Sequence, residues 1–130
     1  MNILVIDGMG GGLGKAIIEH IKPFVNAQII AVGTNSAATS AMLKAGANIA
    51  ATGENAVIYN AVKADYIIGA LGIISTNSMH GEITAKMAEA ITSSPAHKIL
   101  IPIDKCNITV LGTKSSSIAD YLSEITTIIK

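Results

Sequence analysis

The 130-residue chain has no arginine, no tryptophan, one phenylalanine and one cysteine. Without arginine there is no planar fork to grip a phosphate or carboxylate through two parallel hydrogen bonds. Phosphate recognition then falls to backbone N–H groups and lysine. All nine basic residues are lysines, and nine acidic residues cancel them. The basic stripe of a nucleic-acid binder is therefore missing, and no nucleic-acid partner is expected. The lone cysteine, Cys106, has no second cysteine to pair with. No charged n-region or cleavage site surrounds the first apolar run, which predicts a cytoplasmic protein. Residues 66–74, the longest apolar stretch, are interrupted by Gly69 and Gly72 and fall short of a bilayer's thickness. No membrane partner is expected. The length suits one domain over residues 1–130 and leaves no room for a separate substrate domain.

Half of the residues are hydrophobic and the mean hydropathy is +0.52, high for a small chain with much surface to cover. That predicts self-association, most simply a homodimer. Apolar runs of strand length alternate with segments of helical spacing. Ile3-Leu4-Val5-Ile6 forms the first run, and Leu13, Ile17 and Ile21 then mark a helix that stops before Pro23. Residues 28–32 read as a second strand and 36–45 as a helix closed by Gly46. A brief strand at 48–51, a weakly patterned helix at 54–63 and a buried strand from Tyr66 follow. Ile83, Met87 and Ile91 mark the next helix, residues 98–101 another strand and 108–111 a last one. Ile118, Leu122, Ile125 and Ile129 line a final helix, where Ser117 and Asp120 form a capping box with aspartate in place of glutamate. Such alternation predicts a three-layer α/β/α domain with a mainly parallel sheet of five or six strands.

Between the first strand and first helix lies Gly8-Met9-Gly10-Gly11-Gly12-Leu13-Gly14-Lys15. A strand-to-helix turn of this kind points backbone N–H groups and a helix N-terminus at one spot, where anions are favoured. The G-x-G-x-x-G spacing fails in every register, and a P-loop fails because Met9 stands at its first glycine and Ala16 follows the lysine. Gly8, Gly12 and Gly14 instead form G-x-x-x-G-x-G, which resembles the cofactor loop of short-chain dehydrogenases and implies a Rossmann-like, NAD(P)-binding fold. The alternative is a tight turn without a ligand.

The second strand ends in Gly33-Thr34-Asn35-Ser36 with no acidic residue where an NAD ribose would expect one. Thr34, Asn35 and Ser36 can instead hydrogen-bond a ribose or its 2′-phosphate, or simply cap the next helix. Asp7 would repel a bare anion at close range. It has three readings: an acceptor for the loop amides that holds the turn, a ligand for Mg²⁺ carried by a nucleotide, or a general base. Tyr59 and Lys63 match the Y-x-x-x-K catalytic spacing of short-chain dehydrogenases, but they precede the fourth strand, where the family's pair lies beyond it. They are read as coincidental. Gly69 and Gly72 follow or end the fourth strand on the carboxyl edge, where ligands of open α/β sheets bind. His80 with Glu82 can act as acid and base, and Cys106 beside Lys105 as a thiol nucleophile. The plainer readings are a solvated histidine and an inert cysteine. No set of residues has zinc-ligand spacing.

Val5-Ile6-Asp7-Gly8-Met9-Gly10-Gly11-Gly12, Gly33-Thr34-Asn35-Ser36, Ala51-Thr52-Gly53-Glu54-Asn55, Gly81-Glu82-Ile83-Thr84 and the stretch from Lys98 to Cys106-Asn107 together resemble an uncharacterised family of short bacterial proteins, a domain of unknown function. The resemblance implies a small Rossmann-like domain and supplies no reaction. The leading expectation is a nucleotide-binding protein, with NAD(P) or a related adenine nucleotide as cofactor and Mg²⁺ as a possible companion. Its expected site is Asp7, Gly8, Gly10, Gly11, Gly12, Gly14, Thr34, Asn35, Ser36, Gly69 and Gly72. Two alternatives stay open. One is a small-metabolite enzyme using Asp7, His80, Glu82 or Cys106, and the other is a homo-oligomeric interaction module without catalysis.

Overall fold

Side chains alternate across β1 (Asn2–Asp7), with Ile3 and Val5 packed into one layer and Leu4 and Ile6 into the other, all four fully buried. A strand this apolar on both faces needs helices above and below it. The computed structural model, which describes residues 1–103 and 107–129, supplies them. β1 lies at the centre of a parallel sheet with β2 (Gln28–Gly33), β3 (Ile49–Thr52), β4 (Tyr66–Ala70) and β5 (His97–Ile101), in the order β3-β2-β1-β4-β5. Ile3 stands opposite Ile29 on one side and Tyr66 on the other.

The helices divide between the two faces. Ile17, Ile18 and Ile21 of α1 (Gly12–Ile21), Met42 of α2 (Ser36–Lys44), and Leu122 and Ile125 of α5 (Ile118–Ile128) pack with Ile3 and Val5. Val57 and Ala61 of α3 (Glu54–Ala61), with Met87 and Ile91 of α4 (Ala85–Ser93), pack with Leu4 and Ile6. Each fully buried aliphatic side chain contributes about 1.5–3 kcal/mol. The expected α/β/α architecture is the one found, with five strands among the described residues. Asn35 caps α2 by accepting from the Ala38 amide at 2.9 Å. Ser117 and Asp120 form the expected capping box at α5, at 3.2 and 3.4 Å.

The expected last strand over residues 108–111 is corrected. These residues are irregular and exposed, Leu111 by 91%. A β-branched run satisfies strand propensity, but a strand also needs a neighbouring edge and a layer to cover it. Residues 108–111 have neither among the described residues, and β5 ends the sheet. No helix is long and apolar enough to cross a membrane among those residues.

The strand order reverses between β1 and β4, because the chain leaves β1 toward β2 and β3 and later returns to the other side. The carboxyl ends of these two neighbouring strands therefore carry connections that diverge and leave a crevice.

Candidate functional site

A cleft of about 900 Å³ opens at this crevice. Asp7, Gly8 and the turn up to Leu13 form one wall. Ala70, Gly72 and residues 75–80 form the other, and Ile103 and Asn107 close a third side.

The turn wall is built around Asp7, which is 6% exposed. Its Oδ1 accepts from the Gly8 amide at 2.8 Å and its Oδ2 from the Gly14 amide at 2.7 Å. Gly14 is the third residue of α1, whose N-cap, Gly11, has no side chain to offer. The carboxylate thus caps the helix from outside it. Burial is the largest influence on Asp7 and raises its pKa above the ordinary value. The Gly14 and Gly8 amides oppose the rise, the negative charge of Glu82 adds to it, and the Leu13 amide opposes it more weakly.

The glycines of the turn serve different ends. The Gly11 amide donates to the Gly8 carbonyl at 3.0 Å, and Gly11 has φ 76°, a left-handed conformation, with the backbone of Ala38 only 2.8 Å from where a Cβ would stand. Gly14 lets α1 approach α2, since a Cβ there would press on Met42 and Asp7. Gly10 and Gly12 are different. Neither has positive φ, and a Cβ on either would meet nothing within 4 Å. Both line the cleft, and among the described residues their amides have no acceptor.

The opposite wall is tightly wound. Asn77, Met79, His80 and Gly81 all have positive φ, from 56° to 89°, and three of them are not glycine. A left-handed residue other than glycine costs about 1–2 kcal/mol, so the segment needs anchors. The buried Ser78 hydroxyl donates to the Gly72 carbonyl, and the Asn77 amide donates to the Ile83 carbonyl at 2.7 Å. Glu82 is the third anchor. Its Oε1 accepts from the Met9 amide at 2.8 Å, the Thr34 hydroxyl at 2.5 Å and the Asn35 side-chain amide at 3.1 Å. The Met9 amide and then the Thr34 hydroxyl do most to hold the Glu82 carboxyl below its ordinary pKa. Burial opposes them, and Asn35 and the charge of His80 add smaller pulls in the same direction.

Of the expected site residues, Asp7, Gly8, Gly10, Gly11, Gly12 and Gly72 line the cleft. Thr34 and Asn35 lie on the far side of Gly8, engaged with Glu82, and Ser36 is exposed at the start of α2. Gly69 is inside β4, where a Cβ would stand 2.7 Å from the Ile6 carbonyl oxygen, and Gly14 is packed beneath α2. His80 stands exposed at the cleft's edge. Cys106, Asp104 and Lys105 lie outside the described residues. The Lys63 ammonium sits 3.5 Å over the Tyr59 ring, and the Lys63 carbonyl accepts from Asn2 at the start of β1. That pair is at the amino edge of the sheet, away from the cleft. Glu82 as a partner of Thr34 was beyond sequence reasoning, since the two are 48 positions apart. Among the described residues no three His, Cys, Asp or Glu side chains gather as a metal site.

An all-parallel sheet in the order β3-β2-β1-β4-β5, with a glycine turn at its point of reversal, defines a Rossmann-like α/β protein. The chain belongs to the family described as Domain of unknown function (DUF3842), whose model matches residues 2–130. Neither a curated protein nor a solved structure matches it.

Proposed function

We propose that the protein binds a phosphate-bearing nucleotide in the cleft between β1 and β4. Its phosphate would lie against the Gly10 and Gly12 amides, and its sugar and base along residues 72–80. The observation that carries this reading is the pair Gly10 and Gly12: neither turn geometry nor packing calls for glycine at either position, yet both face the cleft and their amides have no acceptor among the described residues. Backbone N–H groups at a helix N-terminus suit a phosphate in a chain without arginine. Asp7, by contrast, is occupied in holding the turn, which favours the first of its three roles over metal or proton chemistry. The enzyme reading has less support, because Asp7 and Glu82 are each committed to amide donors and His80 is exposed.

Calorimetric titration with AMP tests the reading, using the wild type and Gly12→Asp. Gly12 is exposed with open space around it, so the variant keeps its fold while placing a carboxylate where the phosphate would lie. AMP affinity is expected to fall by about tenfold or more. Equal affinity in a folded Gly12→Asp protein contradicts the reading. Gly14→Asp is not an equivalent probe, since its Cβ would strike Met42 and Asp7.

A further inference from the structure

In a Rossmann-like fold a dinucleotide straddles the glycine turn, with one ribose held at the carboxyl end of β2. Here the chain's own atoms occupy that passage. A Cβ on Gly8 would stand 2.6 Å from Thr34 Oγ1, 2.7 Å from Glu82 Oε1 and 2.8 Å from Met79 Sδ, so three side chains from two connecting segments converge on the Gly8 Cα. Glu82 holds Thr34 there by accepting from its hydroxyl, and it accepts from the Asn35 side-chain amide and the Met9 amide as well. The Asn35 side-chain amide also donates to the Met9 carbonyl at 3.0 Å, which fastens the end of β2 to the turn a second time. None of Thr34, Asn35 and Glu82 lines the cleft, whereas Met79, the third side chain at Gly8, does.

Charge works with shape. The Met9 amide would be a natural donor to a bridging pyrophosphate, but it already has a carboxylate as its acceptor. A second phosphate brought toward Gly8 would meet the negative charge of Glu82 at close range, with no arginine in the chain to offset it.

We propose that Glu82 is a specificity-determining residue: by clamping Thr34 and Asn35 over Gly8, it closes the β2 side of the crevice and restricts the site to a single nucleotide. The inference rests on the reading of the cleft as a nucleotide site and narrows it to mononucleotides as opposed to dinucleotides. Glu82 is brought to the end of β2 by the connection between β4 and α4, and it shuts a passage that an acidic residue at the end of β2 itself would leave open to a ribose.

NAD and its two halves, AMP and nicotinamide mononucleotide, provide the test. Calorimetry on the wild type, Glu82→Ala and Thr34→Ala would compare all three compounds, with circular dichroism to establish that each variant is folded. In the wild type NAD is expected to bind no tighter than its better half, because only one half can be seated. When both halves are seated, linkage raises affinity well beyond either one. In Glu82→Ala, and to a smaller extent in Thr34→Ala, NAD affinity is expected to rise by about tenfold while the better half changes little. Two results would overturn the inference alone: NAD binding the wild type far more tightly than either half, or both folded variants leaving NAD affinity where it was. Failure of AMP and of nicotinamide mononucleotide to bind any of the three proteins would overturn the nucleotide reading of the cleft, and this inference with it.

Discussion

Asp7 answers two opposed demands. Its position at the end of a central strand buries it, which raises its pKa, while the Gly14 and Gly8 amides favour its charged form and Glu82 disfavours it. With the folded value above the unfolded one, Asp7 favours folding at pH below its unfolded value, and that contribution is lost as pH rises through the folded value. Glu82 behaves in the opposite sense. Its folded value is depressed, so its contribution is present above the unfolded value and lost as pH falls through the folded one. Glu82→Gln removes that acid-side loss, and its stability in urea is expected to fall less between about pH 5 and pH 3 than the wild type's. Parallel curves would mean that the three donors on Glu82 Oε1 do not favour its charge. Asp7→Asn is expected to destabilise by about 1–3 kcal/mol near neutral pH. The amide can accept from one of the two N–H groups but turns its own NH₂ toward the other. An unchanged urea midpoint would show that the turn does not depend on both bonds.

At the scale of elements, the turn and the edge strand show how far the sequence could be read. Five glycines after a strand of Ile, Leu and Val announce a strand-to-helix turn, and Ser117 with Asp120 announces the start of α5. Both are local signals, carried within a few residues. What each glycine does is decided by distant segments: α2 lies over Gly11 and Gly14, Thr34, Met79 and Glu82 crowd Gly8, and Gly10 and Gly12 are left bare. Gly14→Ala is accordingly expected to cost about 1–3 kcal/mol through overpacking against Met42. Gly12→Ala should be neutral or stabilising by up to about 1 kcal/mol, and urea midpoints of the two variants would separate them. Residues 108–111 show the converse, where propensity favours a strand that the fold does not pair. Leu111→Ser is expected to change stability by less than about 0.5 kcal/mol, whereas Ile101→Ala, at a buried position of the edge strand β5, should cost about 2–5 kcal/mol. A large loss at Leu111 would place that side chain in a packed environment and contradict its exposure.

At the scale of the whole molecule, the proposed site depends on the strand order. The alternation of Ile3 and Val5 with Leu4 and Ile6 makes two helical layers legible from sequence, and with them a parallel sheet. The place of β1 between β2 and β4 is not legible in that way. That order brings Glu82 to Thr34 and sets the glycine turn against residues 72–80. Thr34 and Asn35, which the sequence offers as ribose contacts, are by the same order hydrogen-bonded to Glu82. On the β4 side the cleft is bounded by Ala70, Gly72 and the small polar residues 75–78, with Met79 and His80 beyond them.

The most direct test of this account is a titration of the ¹⁵N-labelled protein with AMP, followed through its backbone amide resonances. The Gly10, Gly12, Ala70 and Gly72 amides are expected to shift together and saturably, with Ser36 and the surface of α2 unmoved. Shifts confined to the end of β2 and the start of α2, or none at saturating AMP, would contradict a nucleotide site between β1 and β4.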